Sequence, residues 1–283
     1  MEKNRLSSLG KTIASDKQML AGCIGILILL LIMIAAPLLA TEDPSVYGAD
    51  RLNGLGENGH LLGTNHMGQD VYSMIIYGVR TSIKVAVISA LISGILGVLI
   101  GGVAGFFGGK ADTVISEIIN IFMMLPSFFL ILLIVALFGN SLTNVMIVIG
   151  ITTWPGNAKL MRAQALSLRE RVFVKSAEAM GETRLQILFK YIIPNGIFPV
   201  IANTTMGMAS AILTEAGLSF LGLGDPSIIS WGQMIYAGKQ YITSAWWIST
   251  FAGVAIVIAV LIFYLLGDGL NHVLDPRHNK RRA

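Results

Sequence analysis

The sequence is poor in charge. Only 13% of its 283 residues are Asp, Glu, Lys or Arg, against 54% hydrophobic, and the mean hydropathy is +0.72. That balance excludes an ordinary soluble core and reads as a polytopic membrane protein. Cysteine is almost absent: Cys23 stands alone inside the first apolar run, which rules out a disulfide framework and a thiol-based metal site. No Gly-x-x-x-x-Gly-Lys-[Ser/Thr] phosphate loop occurs, and no nucleophile–base arrangement is recognisable. The chain is therefore not expected to hydrolyse ATP. Internal repeats are missing, as are low-complexity segments beyond the short basic tail at 278–282.

What is present is a set of charge-free intervals, at residues 18–41, 85–109, 118–158, 191–214 and 240–267. A helix needs about 20 residues to cross a bilayer at 1.5 Å rise per residue. The third interval is long enough for two helices turning at Gly139-Asn140-Ser141. Six transmembrane helices are expected, since helix is the form that satisfies the backbone of such runs in lipid. The first run comes after a basic segment but far exceeds the roughly 7–15 residues of a signal-peptide core. It is read as an uncleaved first helix.

Orientation follows from Lys and Arg. Lys3, Arg5, Lys11, Lys17, Lys110, the basic residues from Lys159 to Lys190, and Arg277, Lys280, Arg281 and Arg282 fall on the N-terminal side. Arg51, Arg80, Lys84 and Lys239 fall on the other. Both termini are therefore expected in the cytoplasm, and the net charge of +4 needs no nucleic acid. Trp246 and Trp247 fit an interfacial aromatic belt. The sizeable outer surfaces are 42–81 and 215–244.

The polar stretch 169–194 lies between two apolar spans on the cytoplasmic side. Good helix formers predominate from Glu170 to Met180, with Val172, Phe173, Ser176, Ala177 and Met180 available for an apolar side. Gly181 permits a sharp turn, and Leu185, Ile187, Leu188 and Ile192 resume an apolar pattern up to Pro194, early in the next span. Helix, turn, helix is expected on the membrane surface, as a docking site or as a solvated connector. The spacing resembles the EAA loop of membrane subunits of ATP-binding cassette (ABC) importers: Glu-Ala-Ala, three residues, Gly, nine residues, Ile-x-Leu-Pro. Gly181 and Pro194 hold their places, Lys175-Ser176-Ala177 stands for Glu-Ala-Ala, and Tyr191-Ile192-Ile193 for Ile-x-Leu.

Further stretches resemble the second permease of the dipeptide, oligopeptide and nickel class. His60-Leu61-Leu62-Gly63-Thr64-Asn65-His66-Met67-Gly68-Gln69-Asp70 is similar to His-x-Leu-Gly-Thr-Asp-x-x-Gly-Arg-Asp. Tyr77-Gly78-Val79-Arg80-Thr81-Ser82, Ala104-Gly105-Phe106-Phe107-Gly108-Gly109 with Asp112, and Leu218 to Gly224 come next in order. Ser230-Trp231-Gly232, Leu265-Leu266-Gly267-Asp268-Gly269-Leu270 and Leu274-Asp275-Pro276-Arg277 complete the set, which spans 60–277. Asn65 and Gln69 replace a usual Asp and Arg, keeping hydrogen bonding without charge; Glu117 and Asn120 replace a usual Arg and Asp.

The resemblance implies an all-α polytopic membrane protein with the type I ABC importer permease fold. Its parts would be a cytoplasmic tail at 1–18, a first transmembrane helix at 19–40, and an extracytoplasmic segment at 41–80. A five-helix core at 81–268 would include a coupling loop at 163–192, before a cytoplasmic tail at 269–283. Function would be as half of the translocation pore of an ATP-driven importer for small peptides, or alternatively nickel or metal chelates, in the plasma or inner membrane. Implied partners are a homologous permease, two ABC ATPase subunits and an extracytoplasmic solute-binding protein. No cofactor is expected in this chain, ATP and magnesium residing in the ATPase subunits. The ATPase-docking residues would be Phe173, Lys175, Ser176, Ala177, Glu178, Ala179, Met180, Gly181, Glu182 and Arg184, with Pro194 at the loop end. Of these, Phe173, Ala177 and Met180 would be the packed contacts, and Glu178, Glu182 and Arg184 the polar rim. Asn65, Gln69, Asp70, Glu215 and Trp231 are candidates for the pathway or for contact with the binding protein.

Other residues carry plainer readings. Glu117 reads as a carboxylate near a helix end or as a buried acid, and Glu215 as a cap or as pathway lining. His60 and His66 lack a carboxylate–histidine cluster with ligand spacing. Met123 and Met124 beside Pro126 read as packing at a kink. Gly94, Gly97, Gly101, Gly102 and Gly105 suggest a tight helix interface, most simply with a partner permease, or else the lining of a pore. A secondary transporter would need intramembrane carboxylates and inverted repeats, which the charge-free spans do not supply. A membrane scaffold would not be expected to carry the outer segments in this order.

Overall fold

In the computed structural model, which describes residues 16–274, the chain is built of helices joined by short turns and one long outer segment. Among the described residues the sole bridge is the isolated antiparallel one between Thr64 and Asp70. The basic tail, the N-terminal residues Lys3, Arg5 and Lys11, and the motif residues Asp275, Pro276 and Arg277 fall outside the described residues.

The helices are α1 (Lys17–Leu39), α2 (Val71–Phe107), α3 (Gly109–Met124), α4 (Ser127–Phe138), α5 (Leu142–Leu168), α6 (Val172–Ala179), α7 (Arg184–Ile187), α8 (Ile193–Gly196), α9 (Phe198–Phe220), α10 (Trp231–Gly238) and α11 (Trp246–Leu274). By length and composition α1, α2 and α11 can each cross a membrane. Two bent pairs also qualify: α3 with α4, at 85°, and 184–196 with α9, at 60°. That is up to five candidate spans among the described residues, against an expectation of six. α5 is the element that falls short on apolar character. Its 27 residues reach about 40 Å, but Thr152, Thr153, Asn157, Lys159 and Arg162 interrupt its apolar run.

A charged residue does not always mark the end of a helix here. α2 begins at Val71, ten residues before the expected core start, because Asp70 caps it: the Asp70 side chain accepts from the Ser73 amide. Arg80 does not break the helix. Its Nε donates to the Met33 carbonyl of α1 at 2.8 Å and its guanidinium lies 5.1 Å from the Tyr77 ring. The turn at Gly139-Asn140-Ser141 falls at the expected place, with Gly139 at φ +97° and Ser141 capping α5. Pro126 does break the helix, but Met124 and Met123 are exposed within this chain instead of packing at the bend.

The glycines of α2 pack within this chain, not against a partner. A Cβ at Gly97 would come 2.3 Å from Asn157 Cβ, one at Gly101 2.2 Å from the Ala158 carbonyl oxygen, and one at Gly105 2.4 Å from the Arg162 carbonyl oxygen. Four-residue spacing places these glycines on one face, and α5 lies directly on it. At the inner end the Arg162 guanidinium makes a two-point ion pair with Asp112 of α3, with Nη2 2.8 Å from Oδ2. On the outer side α10 is wedged against α2, α9 and α11. Its Trp231 donates from Nε1 to the Ile75 carbonyl at 3.0 Å, and only glycine fits at 78, where a Cβ would meet Trp231 at 2.6 Å. Trp246 is partly exposed, as a belt residue would be, but Trp247 is buried and donates to the Thr64 carbonyl at 3.2 Å.

The glycine face yields a paired test. Gly101→Ala should lower thermal stability in detergent by about 1–3 kcal/mol, the range for overpacking a tight contact. Gly102→Ala, whose Cβ would meet nothing closer than 3.6 Å, should be neutral or stabilising by about 0.5–1 kcal/mol. Equal effects of the two would contradict the α2–α5 packing.

Candidate functional site

The polar stretch 169–194 forms a short helix held on one side only. Val174 and Ala177, three residues apart on α6, are buried against Ile187, Leu188 and Ile192 and against Met161 and Ala165 of α5. Ala177, expected as a partner contact, is instead packed inside this chain, because the helix is rotated to bury Val174 in place of Phe173. The opposite side is uncovered: Val172 is 81% exposed, Met180 73% and Phe173 41%. Lys175, Ser176, Glu178 and Ala179 are also exposed, and Lys175 pairs with Glu170 at 3.1 Å.

Gly181 ends the helix as its position suggested. With φ +83°, it lets its own N–H donate to the Glu178 carbonyl at 3.0 Å and the Glu182 N–H donate to the Ala177 carbonyl at 3.1 Å. That pairing is a Schellman cap. Thr183 then opens α7 with a capping box to Gln186, a Thr-x-x-Gln signal that could have been read from the sequence. A π-helical turn, Leu188–Ile192, carries the chain into α8, with Pro194 exposed in its first turn. Glu182 and Arg184 face back onto this chain. Glu182 Oε1 accepts from Lys190 Nζ and from the Tyr191 hydroxyl, both at 2.8 Å. Those donors, Lys190 foremost, hold its carboxyl below the usual glutamate range. Arg184 lies over the Phe107 ring at 4.9 Å, fastening the loop to the end of α2.

On the outer side Asp70 is a hub. Its carboxylate accepts from the Ser73 amide and hydroxyl at 2.8 Å each, from Thr41 at 2.9 Å, and meets His60 Nδ1 at 3.0 Å. Burial pushes the carboxyl up, but the hydrogen bonds of Ser73, His60 and Thr41 outweigh it and hold it below the ordinary aspartate value. Ser73 also accepts from the Thr41 and Glu42 amides at 3.1 Å, so the exit of α1 is tied to the start of α2. Asn65 and Gln69 are a hydrogen-bonded pair, Nδ2 to Oε1 at 2.8 Å, in place of an ion pair. Both border an outer cleft of about 650 Å³. Asp70, Trp231 and Glu215 are buried and do not line this cleft. Glu215 accepts from Ser219 at 2.8 Å and from Ser230, the cap of α10, at 3.0 Å. His66 stacks on Tyr241 at 5.2 Å. Glu117 is exposed, and among the described residues no hydrogen bond joins it to Asn120.

An open cavity of about 380 Å³, not expected from the sequence, lies midway along α2, α5 and α9, bordered also by α3 and by Ser127 at the start of α4. Ser89, Ser93, Thr153, Asn157, Asn203 and Ser210 line it, together with apolar residues and no ionisable side chain. Asn203 Nδ2 donates to Asn157 Oδ1 at 2.8 Å, and Asn157 Nδ2 donates to Ser93 at 3.1 Å, linking three helices. A signal for it exists: Ser89 and Ser93, Thr153 and Asn157, and Asn203, Gly207, Ser210 and Thr214 recur at helical spacing on otherwise apolar spans.

Residues 97–280 match the family model described as "Binding-protein-dependent transport system inner membrane component". The chain is 38% identical to the dipeptide transport system permease protein of Alkalihalophilus pseudofirmus, over 94% of this chain and 88% of that one. It is 35% identical to the di/tripeptide transport system permease protein of Pseudomonas aeruginosa, over 96% and 92%. The glutathione transport system permease protein of Pectobacterium atrosepticum is 34% identical, over 92% and 88%. Among solved structures, a chain of the MetNI methionine ABC transporter in an inward-facing conformation superposes with a TM-score of 0.56 at 19% identity, covering 71% of this chain and 97% of that one. The fold is that of a type I importer permease.

The outer hub gives a pH prediction. A carboxyl held below 3.8 adds stability that is fully present above that value and is lost as pH falls through the lower folded-state value. Thermal stability in detergent should therefore drop below about pH 4, and Asp70→Asn should flatten the drop while keeping the cap. Asp70→Ala should cost about 0.5–2 kcal/mol through the cap alone and speed hydrogen exchange at the Ser73 amide. An unchanged Ser73 amide would contradict the clamp.

Proposed function

The chain belongs to the family of binding-protein-dependent transport system inner membrane components, and from that premise we propose that it forms half of the translocation pore of an ATP-driven importer of small peptides. The relatives that share most of its length are named for dipeptides, di/tripeptides and glutathione, which supports that cargo class. The other half of the pore is a homologous permease, the solute is delivered by an extracytoplasmic binding protein, and ATP and magnesium act on two separate ATPase subunits. Six spans, counting the more polar α5 as one of them, put both termini in the cytoplasm in keeping with the Lys and Arg asymmetry.

The observation that carries the coupling role is the two-sidedness of α6. One face is packed onto the ends of α2 and α5, and the other leaves Val172 and Met180 uncovered beside a charged rim, with Phe173 half-exposed against Tyr191. A single apolar residue on a surface is ordinary; two on one short amphipathic helix and a third at its C-cap, rimmed by polar residues, mark a protein contact. We assign this face to the groove of an ATPase subunit. Closure of the ATPase dimer then displaces α6, and the rigid attachment through Val174, Ala177 and the Schellman cap passes that displacement to the spans. Alternating access results if nucleotide state and binding-protein docking favour inward and outward forms unequally.

Gly181 and Met180 test this differently. Gly181→Pro cannot adopt φ +83° and should misdirect the loop; Met180→Glu leaves the loop intact and charges the uncovered face. Both should reduce co-purification of the ATPase subunit at least tenfold in mild detergent and abolish uptake, while insertion and thermal stability of Met180→Glu match wild type. Full ATPase recovery with Met180→Glu would show that the face is not the contact.

A further inference from the structure

Two glycines that line the polar cavity have no neighbouring atom that demands their small size. Gly156 lies inside α5 and Gly207 inside α9, and both line the cavity. Neither has positive φ, so neither is there for a turn. A Cβ built at either meets no atom within 4 Å, in contrast to Gly97, Gly101 and Gly105, where it strikes α5 at 2.2–2.4 Å. A glycine inside a helix is less stable than alanine by roughly 0.5–1 kcal/mol. Gly156 follows Pro155 inside α5, but among the described residues no atom of a neighbouring element fills the space at either position. What the missing side chains leave is space.

The space is neutral and able to bond. No ionisable side chain borders it, and Asn203 uses Nδ2 toward Asn157 while its Oδ1 receives no donor among the described residues. A free amide carbonyl beside the opening suits a solute that presents N–H groups, as a peptide backbone does. At about 380 Å³ the cavity is at the small end of the roughly 300–1,000 Å³ range of small-molecule sites.

We propose that Gly156 and Gly207 form a steric aperture that sets the width available to a small amide-bearing solute, with Asn203 accepting a hydrogen bond from its backbone. This rests on the importer reading above. The aperture predicts that enlarging either glycine excludes solutes by size, without disturbing assembly.

The complete transporter in proteoliposomes would be assayed for uptake of alanine di-, tri- and tetrapeptides, with Ala and Leu at each position. Gly253→Leu is the control, since a Cβ there also meets no atom but the residue is no part of the cavity lining. Gly156→Leu and Gly207→Leu should cut tetrapeptide and tripeptide uptake at least tenfold and dipeptide uptake less, with the Ala variants intermediate. Subunit recovery and ATPase activity should stay at wild-type levels. Unchanged uptake, or an equal loss in Gly253→Leu, overturns the aperture. Loss of uptake together with loss of the partner permease also overturns it, because the glycines would then seat a partner helix. A wild-type transporter that moves none of the peptides refutes the importer reading and the aperture with it, whereas normal wild-type uptake with unaffected variants refutes the aperture alone.

Discussion

The close approach of α2 and α5 through Gly97, Gly101 and Gly105 is the contact on which the rest of the molecule depends. In lipid, helices gain little from burying apolar surface against one another, so backbone proximity and van der Waals packing must hold them. This contact brings Ser93 of α2 and Asn157 of α5 within 3.1 Å, which closes one wall of the polar cavity. It also sets the inner ends of both helices side by side, where Phe106, Met161 and Ala165 receive α6. A single glycine face thus positions the cavity and α6 together.

That shared support explains how a movement at one end can reach the other. α6 is not a free loop: Val174 and Ala177 anchor it, Gly181 and Thr183 fix the angle at which the chain leaves it, and Arg184 and Glu182 fasten α7 and the π-helical turn beyond it. At the outer end Asp70 and Ser73 bind the exit of α1 to the first turn of α2. Between these ends α2 runs 37 residues without a break, a continuous rod of about 55 Å. The bends lie in its neighbours, at Pro126 and ahead of α9. The division suits a pore half in which one element carries displacement and others shape the opening.

Much of this is legible in the residue pattern, and the exceptions have physical reasons. The Gly181 turn, the Gly139-Asn140-Ser141 turn and the amide pair of Asn65 and Gln69 can be read because each depends on chemistry local in sequence. The rotation of α6 cannot, since Val172, Val174 and Ala177 are all plausible apolar positions and only packing onto α5 selects between them. Charge misleads at Arg80, whose long side chain reaches a carbonyl on α1 and leaves the helix intact. The glycines of α2 announce a tight interface but cannot say with whom. The cavity leaves only the helical spacing of its hydroxyls and amides in the sequence, because those residues are individually ordinary and it exists only where α2, α3, α4, α5 and α9 converge.

The most direct test of the coupling role is the reactivity of a thiol at the uncovered face of α6. With Met180→Cys in a Cys23→Ser background, a membrane-impermeant maleimide would be applied to inverted vesicles with and without the ATPase subunits. A docked α6 predicts at least tenfold protection when the ATPase is bound, relieved when it is stripped away. Equal labelling in both preparations, with the transporter still assembled, would contradict it.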